Sequence, residues 1–184
     1  GVAVLTSGVV TGVFGGRATI QDGTGAYSGL WVNGSNVALQ VGDAVDVSGT
    51  VSENFDLTQL NSPSVTILSQ GNALPAAEVL STLDVSAEQW EGVLVQTAGV
   101  VEDDALGFGE WSVNDASGAV VLDDAGFNAI AAGLTTVGAS VQVTGAVDFS
   151  YGAYKLQPRD VNDVLLFGCT SDAADNYDAA ASVD

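Results

Sequence analysis

The chain repeats one sequence pattern, and this repeat constrains its fold more than any other feature. The matching segments, first copy against second, are 8–10 and 99–101, 22–25 and 115–118, and 41–51 and 137–147. The offset grows from 93 positions at Asp22 and Asp115 to 96 positions at Leu60 and Leu156. A repeat of this length is a whole small domain and not a solenoid unit. The chain is therefore expected to contain two copies of one domain.

Each copy reads as a series of short strands separated by turn signals. Valine-rich alternation and Gly-rich turns favour β-structure. The predicted strands are 9–14, 17–21, 27–32, 45–51 and 57–68 (broken near Pro63), and then 93–101, 110–114, 119–123, 140–148 and 153–166. Between the third and fourth strands of the second copy we predict a short helix over 124–134, with Asp124 as its cap and Gly133 as its stop. Five strands in this order are typical of an OB-fold barrel. A generic β-sandwich is the alternative, but it gives no reason for the helix.

We therefore predict an all-β chain of two tandem five-stranded OB-fold-like barrels with a short helical connector. The barrels are residues 1–70 and 92–167, the connector is 71–91, and an acidic, Cys-containing tail spans 168–184. The connector segments 74–80 and 85–91 lack strand alternation and are expected to form helical turns. Trp90 is expected to pack the connector against a barrel end.

The charge is strongly one-sided. Three basic residues, Arg17, Lys155 and Arg159, face 23 acidic ones, which gives a net charge of −20. Such a field repels phosphate backbones and anionic membranes, although an acidic surface needs no ligand to explain it. No stretch approaches the roughly 20 apolar residues of a membrane span. We expect weak nucleic-acid binding at physiological salt and no membrane insertion.

The residue types needed for common catalytic sites are missing. Histidine is absent and Cys169 is the one cysteine, which excludes His-dependent nucleophiles and the usual zinc sites. The carboxylate runs 102–104 and 123–124 suit metal-dependent chemistry, but both are expected in solvated turns. We predict that the chain is not an enzyme.

A small stacking site is the candidate for ligand binding. Tyr151, Tyr154, Lys155 and Arg159 lie close together in sequence, and aromatic and basic side chains together suit base stacking. The alternative is that alternate aromatics on a strand belong to the core.

Three segments carry a resemblance to a known family. The strings GVVTGVFGGRATIQDGTGAYSGLWV (8–32), VGDAVDVSGTVSENFDLTQL (41–60) and EQWEGVLVQTAGVV (88–101) resemble the OB-fold-like modules of bacterial secreted nucleases and nuclease-associated surface proteins. The resemblance covers 1–167. It implies an accessory module beside a separate nuclease domain, which makes nucleic-acid binding the alternative function. The near absence of basic residues departs from that pattern.

The tail carries a second resemblance. GCTSDAADNYDAAASVD (168–184) is similar to short Cys-containing acidic repeats of large secreted proteins from marine Bacteroidetes. This implies an extracellular or cell-surface protein with a larger parent, and a disulfide from Cys169 to a residue outside the chain. Asp172, Asp175, Asp178 and Asp184 are hard oxygen ligands that suit calcium, but no Gly-pivoted EF-hand loop is present. A solvated acidic linker is the alternative.

The function that fits these features is a non-catalytic extracellular structural, adhesive or assembly module of a larger secreted or surface protein. Its expected partners are copies of itself or flanking domains. Residues 2–13 contain neither charge nor Pro, so their sheet edge is a candidate for contacts between subunits. The alternative is an ordinary long first strand that bends at Gly8 or Gly12.

Overall fold

The computed structural model describes residues 1–168 and 179–183, and strands make up most of this part of the chain. Its helical content is one four-residue α-helix and two 3₁₀ turns within those residues. The all-β prediction is confirmed.

The first half of the chain forms a closed five-stranded barrel. Its strands are β1 (Ala3–Phe14), β2 (Arg17–Gln21), β3 (Gly29–Asn33), β4 (Ala44–Asn54) and β5 (Leu57–Ser69). They pair in the order β1-β2-β3-β5-β4, and β4 returns to β1. The inward residues are apolar, and the core is built from Val10, Ala18, Ile20, Val32, Val45, Val47, Leu60 and Val65. Alternation along each strand places these side chains on one face, so closure of the sheet buries them together.

The second half is a seven-stranded sheet. Its strands are β6 (Glu78–Val79), β7 (Leu94–Gly107), β8 (Glu110–Asn114), β9 (Ala119–Leu122), β10 (Ser140–Ser150), β11 (Ala153–Gln157) and β12 (Val164–Phe167). The order is β12-β10-β11-β9-β8-β7-β6, with an additional pairing of β10 with β7. Strands β7 to β11 therefore pair with one another as β1 to β5 do. The register repeats as well, since Val4 lies opposite Gly49 and Val95 lies opposite Gly145.

The first strand is used within its own barrel. Residues 3–9 pair with β4, and residues 9–14 pair with β2. A register shift between Val10 and Gly12 marks the bulge where the strand changes partner. At Gly8 a Cβ atom would lie 2.8 Å from the Gln21 carbonyl oxygen, so the close approach of β2 requires a glycine there.

The connector differs from the expectation over its first part. A helical turn over 74–80 was wrong, because Glu78–Val79 form strand β6, which runs parallel to β7. The edge of β7 supplies the backbone partners that a helix would have provided, and the Leu80 amide donates to the Gln96 carbonyl at 3.0 Å. Helical turns do follow, as α1 (Thr82–Val85) and a 3₁₀ turn (Glu88–Trp90). Trp90 is buried in the core of the second half, in the same apolar cluster as Val85.

The predicted helix over 124–134 was also wrong. This segment contains hydrogen-bonded turns, of which one resembles a single helical turn. Asn128 caps it in place of Asp124, since its Oδ1 accepts from the Ala131 amide at 2.7 Å. Asp124 instead accepts from the Asn128 side chain. Gly133 ends the turn at a φ of 74°, which glycine adopts without strain.

Several strand ends also differ from their predicted positions. Strand β7 continues through 102–104 to Gly107, so this acidic run lies on a strand and not in a turn. The predicted strand 153–166 is divided into β11 and β12, because Pro158 has no amide to donate and a 3₁₀ turn (Val161–Asp163) follows. The predicted break in β5 is a bulge at Ser62, whose φ is 50°.

Candidate functional site

A cleft of about 710 Å³ lies between the two halves of the chain. The tips of the β4–β5 and β10–β11 hairpins form part of its wall, and the start of β2, the loop after β9 and the end of β11 contribute the rest. Its lining residues are Arg17, Asn54, Phe55, Asp56, Leu57, Asp123, Ala125, Asp148, Phe149, Ser150, Tyr151, Gly152 and Gln157. Because both halves contribute, the cleft exists only when they are packed together.

The packing between the halves is direct. The Trp31 indole donates to the Val147 carbonyl at 2.9 Å, and the Gln21 side chain accepts from the Leu94 amide at 2.7 Å. A small apolar cluster forms the floor of this interface and consists of Phe14, Trp31, Leu57, Ala146 and Phe149. Buried hydrogen bonds and apolar contacts of this kind hold two units in one orientation.

Two exposed aromatic residues occupy equivalent positions on the cleft. Phe55 and Tyr151 are 96 positions apart, which is the offset of the repeat in this region. Each lies at a hairpin tip, with 87% of Phe55 and 99% of Tyr151 exposed. Their φ angles are 52° and 53°, in the left-handed region where Asn or Gly is preferred in such turns. A bulky residue there is strained, so fold stability does not explain the two rings.

Phe108 shares these features outside the cleft. It forms the tip of the β7–β8 hairpin, is 98% exposed and has a φ of 55°. Its side chain does not contribute to the lining of the cleft. Phe108 therefore offers a matched comparison for Phe55 and Tyr151.

Each of the three cationic side chains has a carboxylate partner. Arg17 pairs with Asp148 at 3.1 Å, and its guanidinium lies 4.4 Å from the centre of the Trp31 ring. Lys155 is buried and pairs with Glu110 and Asp123. Cations that are already paired with carboxylates contribute little to phosphate binding. Such binding requires free Lys or Arg side chains that neutralise phosphates and release their counterions.

The Arg159 side chain is likewise paired with other residues of the fold. It contacts Asp163 at 2.6 Å and donates to the Thr11 carbonyl at 3.0 Å. The hydrogen bond to Asp163 raises the pKa of Arg159 above its ordinary value, so this side chain stays charged. It links the second half to β1 and has a structural role there.

The predicted stacking residues are only partly brought together. Lys155 Nζ lies 5.2 Å from the centre of the Tyr151 ring. Tyr154 is half-buried and packs against the core of the second half. The centres of the Tyr154 and Phe149 rings are 4.7 Å apart. Burial raises the pKa of Tyr154, and the nearby Glu91 carboxylate adds to the shift. Tyr151 is thus the exposed member of the set.

Phe55 was missed as a member of the site by sequence reasoning. The signal that could have found it is the repeat offset itself, because Phe55 is the equivalent of Tyr151.

The positions of Cys169, Asp172, Asp175, Asp178 and Asp184 lie outside the described residues. Within residues 1–168 and 179–183, no group of three or more His, Cys, Asp or Glu side chains is arranged to hold a metal ion. In the same residues, no helix has the length and apolar character needed to cross a membrane.

Comparisons with known proteins identify no family. No protein-family model matches the chain, and no curated protein matches it. Among solved structures, a murine DNA-binding protein bound to double-stranded DNA is similar over 90% of this chain and 97% of its own, with a TM-score of 0.39 and 9% identity. Likeness at this level carries no argument about function.

Proposed function

We propose that the chain is a non-catalytic extracellular structural, adhesive or assembly module of a larger protein, built from two OB-fold-like halves. The observation that carries the proposal is the pair Phe55 and Tyr151. Exposed, strained aromatic rings at equivalent hairpin tips are costly for an isolated domain and useful in a contact surface. The partners are copies of the chain or flanking domains.

The charge of the site restricts what it binds. Asp56 and Asp123 lie on the cleft with the two rings, and Arg17 is already paired with Asp148. A field of this sign repels phosphates and attracts cations, and aromatic faces also bind cationic groups. The preferred partner surface is therefore locally neutral or basic and presents apolar faces, a condition that a copy of this acidic chain must also meet at its contact patch.

Nucleic-acid binding is the second candidate. Exposed aromatic rings on hairpin loops are the stacking elements with which OB-folds bind single strands. The pairing of all three basic side chains with carboxylates argues against this candidate, because electrostatic affinity for nucleic acid requires several free Lys or Arg side chains. The absence of histidine leaves catalysis without its usual proton carriers, so neither proposal includes cleavage.

The test compares three probes on isotope-labelled chain: a neutral oligosaccharide, an arginine-containing peptide and oligo(dT). We expect amide shifts at 54–57 and 150–152 with a neutral or basic probe, and loss of these shifts in Phe55→Ala/Tyr151→Ala. Phe108→Ala is the matched control and should retain them. Submicromolar oligo(dT) binding at about 0.15 M salt that depends on Tyr151 would replace this proposal with the nucleic-acid one. Metal-dependent cleavage of DNA or RNA by the purified chain would contradict the non-catalytic assignment.

A further inference from the structure

The two halves differ at one sheet edge. In the second half, β6 pairs with the outer edge of β7 at Val95 and Gln96. The shared register makes Val4 and Leu5 the equivalents of these two residues. No strand of the described chain pairs with β1 at this edge. The exposures reflect the difference, since Val2 is 71% exposed and its equivalent Val93 is fully buried.

The β8–β9 turn of the second half and the β2–β3 turn of the first half also differ in whether the connector is bound to their side chains. In the second half, the Asp115 carboxylate accepts from the Thr82 amide at 3.2 Å and from the Thr82 hydroxyl at 2.7 Å. The Ser117 hydroxyl accepts from the Leu83 amide at 3.1 Å. These bonds attach α1 to the β8–β9 turn. The equivalents of Asp115 and Ser117 are Asp22 and Thr24, in the turn between β2 and β3.

The Asp22 turn has the same chemistry, but within the described residues no Thr of the connector is bound to its carboxylate, and the connector contacts this turn at the Gly25 amide instead. The sequence QDGTGA in the first half corresponds to NDASGA in the second. Within the described residues, the Asp22 carboxylate accepts no hydrogen bond, and its backbone amide donates to Ser28. An unoccupied groove of about 200 Å³ lies between this turn and β1, and it is lined by Thr6, Ser7, Ile20, Asp22, Tyr27, Ser28, Gly29 and Leu30.

The groove continues an interface that the connector already makes. The Gly25 amide donates to the Glu78 carboxylate at 2.6 Å, and the Tyr27 amide donates to the Gln89 carbonyl at 2.7 Å. In the second half the connector side chains Leu80, Val85 and Trp90 pack into the apolar core. Within the described residues, the connector therefore covers the sheet edge and turn of the second half and leaves the equivalent edge and Asp22 carboxylate of the first half open.

We propose that the edge of β1 at Val2–Thr6, together with the Asp22 turn, binds a polypeptide segment of the pattern seen in residues 78–85. This segment is a short parallel strand followed by a Thr-led helical turn. Its strand adds to β1 through the outward backbone groups of Leu5, as Leu80 does at Gln96. Its Thr amide and hydroxyl donate to the Asp22 carboxylate. Strand addition of this kind is a general mode of peptide recognition.

The proposal deepens the assembly role proposed above by defining the segment that a partner presents. The chain's own residues 78–85 do not compete for the open site, because they are held on β7 at the high effective concentration of an intramolecular contact. A segment that a partner supplies can therefore bind at the β1 edge, which no strand of the described chain covers.

The test uses the whole chain and a peptide of residues 76–87, AAEVLSTLDVSA. We expect one peptide to bind per chain and to shift the amides of Leu5, Ser7 and the Asp22 turn. Asp22→Asn should weaken binding about tenfold or more, because a charged hydrogen-bond acceptor is lost. Asp56→Asn is the charge-matched control and should bind as the wild type does. A peptide with proline in place of Leu80 lacks the donated amide and should not bind.

A second variant keeps the test falsifiable. Leu5→Pro removes an outward amide while leaving the pairing of β1 with β4, and far-UV circular dichroism checks that it folds. It should abolish binding, whereas Phe55→Ala/Tyr151→Ala should not affect it, so failure here is distinct from failure of the cleft proposal. Absence of peptide binding, or binding to Asp22→Asn and to Leu5→Pro that is as tight as binding to the wild type, would overturn the proposal. Dimers of the chain alone that disappear in Leu5→Pro would show a second copy as the occupant and would also overturn it.

Discussion

Glu91 lies at the junction of the two halves and carries an incomplete set of hydrogen bonds. Its Oε2 accepts from the Thr58 amide at 3.1 Å, while Oε1 is buried without a partner in the described chain. Burial raises the pKa of Glu91 above the ordinary 4.5, and the carboxylates of Glu53 and Glu88 add to the shift. The charged form is therefore disfavoured in the folded protein.

Glu91→Gln should make stability less dependent on pH. Because the folded pKa is raised, the wild-type group contributes stability fully below pH 4.5, and this contribution is lost as pH rises through the folded pKa. The glutamine keeps an acceptor for Thr58 and carries no charge. In urea unfolding the variant should be more stable than the wild type at pH 7, and the difference should vanish toward pH 4. Glu88→Gln, exposed in the same turn, is the control and should show no comparable pH-dependent gain.

At the scale of elements, α1 depends on a hydrogen bond from outside the connector. Asp115 accepts from Thr82 and Ser117, and these bonds hold its pKa well below the usual range. A depressed pKa contributes stability above the unfolded value and loses it as pH falls through the folded value.

Asp115→Asn should therefore lower the midpoint of urea unfolding at pH 7, and the difference from wild type should shrink as pH falls below 4. The best control is Asp22→Asn, which makes the same change at the equivalent turn, where no hydrogen bond is lost. An equal loss of stability in both variants would contradict the role given to Thr82 and α1.

The elements also show what the sequence allows to be predicted. The repeat and its alternation place the main strands, because both are local properties of the chain. Strand β6 has only two residues, too few for alternation, and its partner on β7 becomes known only from the fold. The turn capped by Asn128 begins six residues after β9, which ends at Leu122, and no local pattern marks that starting point. The sequence gives Tyr151 as a stacking candidate, and the repeat offset of 96 points to Phe55 as its equivalent. The cleft that they share depends on packing of the two halves, which no local pattern encodes.

At the scale of the whole molecule, the cleft requires that two units pack in one fixed orientation. The backbones of Gly29 and Gly92 approach so closely that a Cβ atom on Gly29 would overlap the peptide between Gly92 and Val93. Gly29 does not have a positive φ, so its role is to permit this approach and not to form a turn. The buried bond from Trp31 to Val147 and the bond from Leu94 to Gln21 both lie across the same interface.

Gly29→Ala should therefore separate the halves without unfolding either of them first. Overpacking of a tight contact costs typically 1–3 kcal/mol, and here the strain falls on the interface, because the barrel of the first half closes independently of it. We expect a lower unfolding midpoint, a change in Trp31 fluorescence and loss of the cleft, seen as weaker probe binding at 54–57 and 150–152. Gly23→Ala, in the β2–β3 connection that leads to Gly29, is the matched control, because a Cβ atom there meets no atom within 4 Å. If both variants behave alike, the close approach of the halves does not determine their packing, and the two aromatic tips would have to act separately.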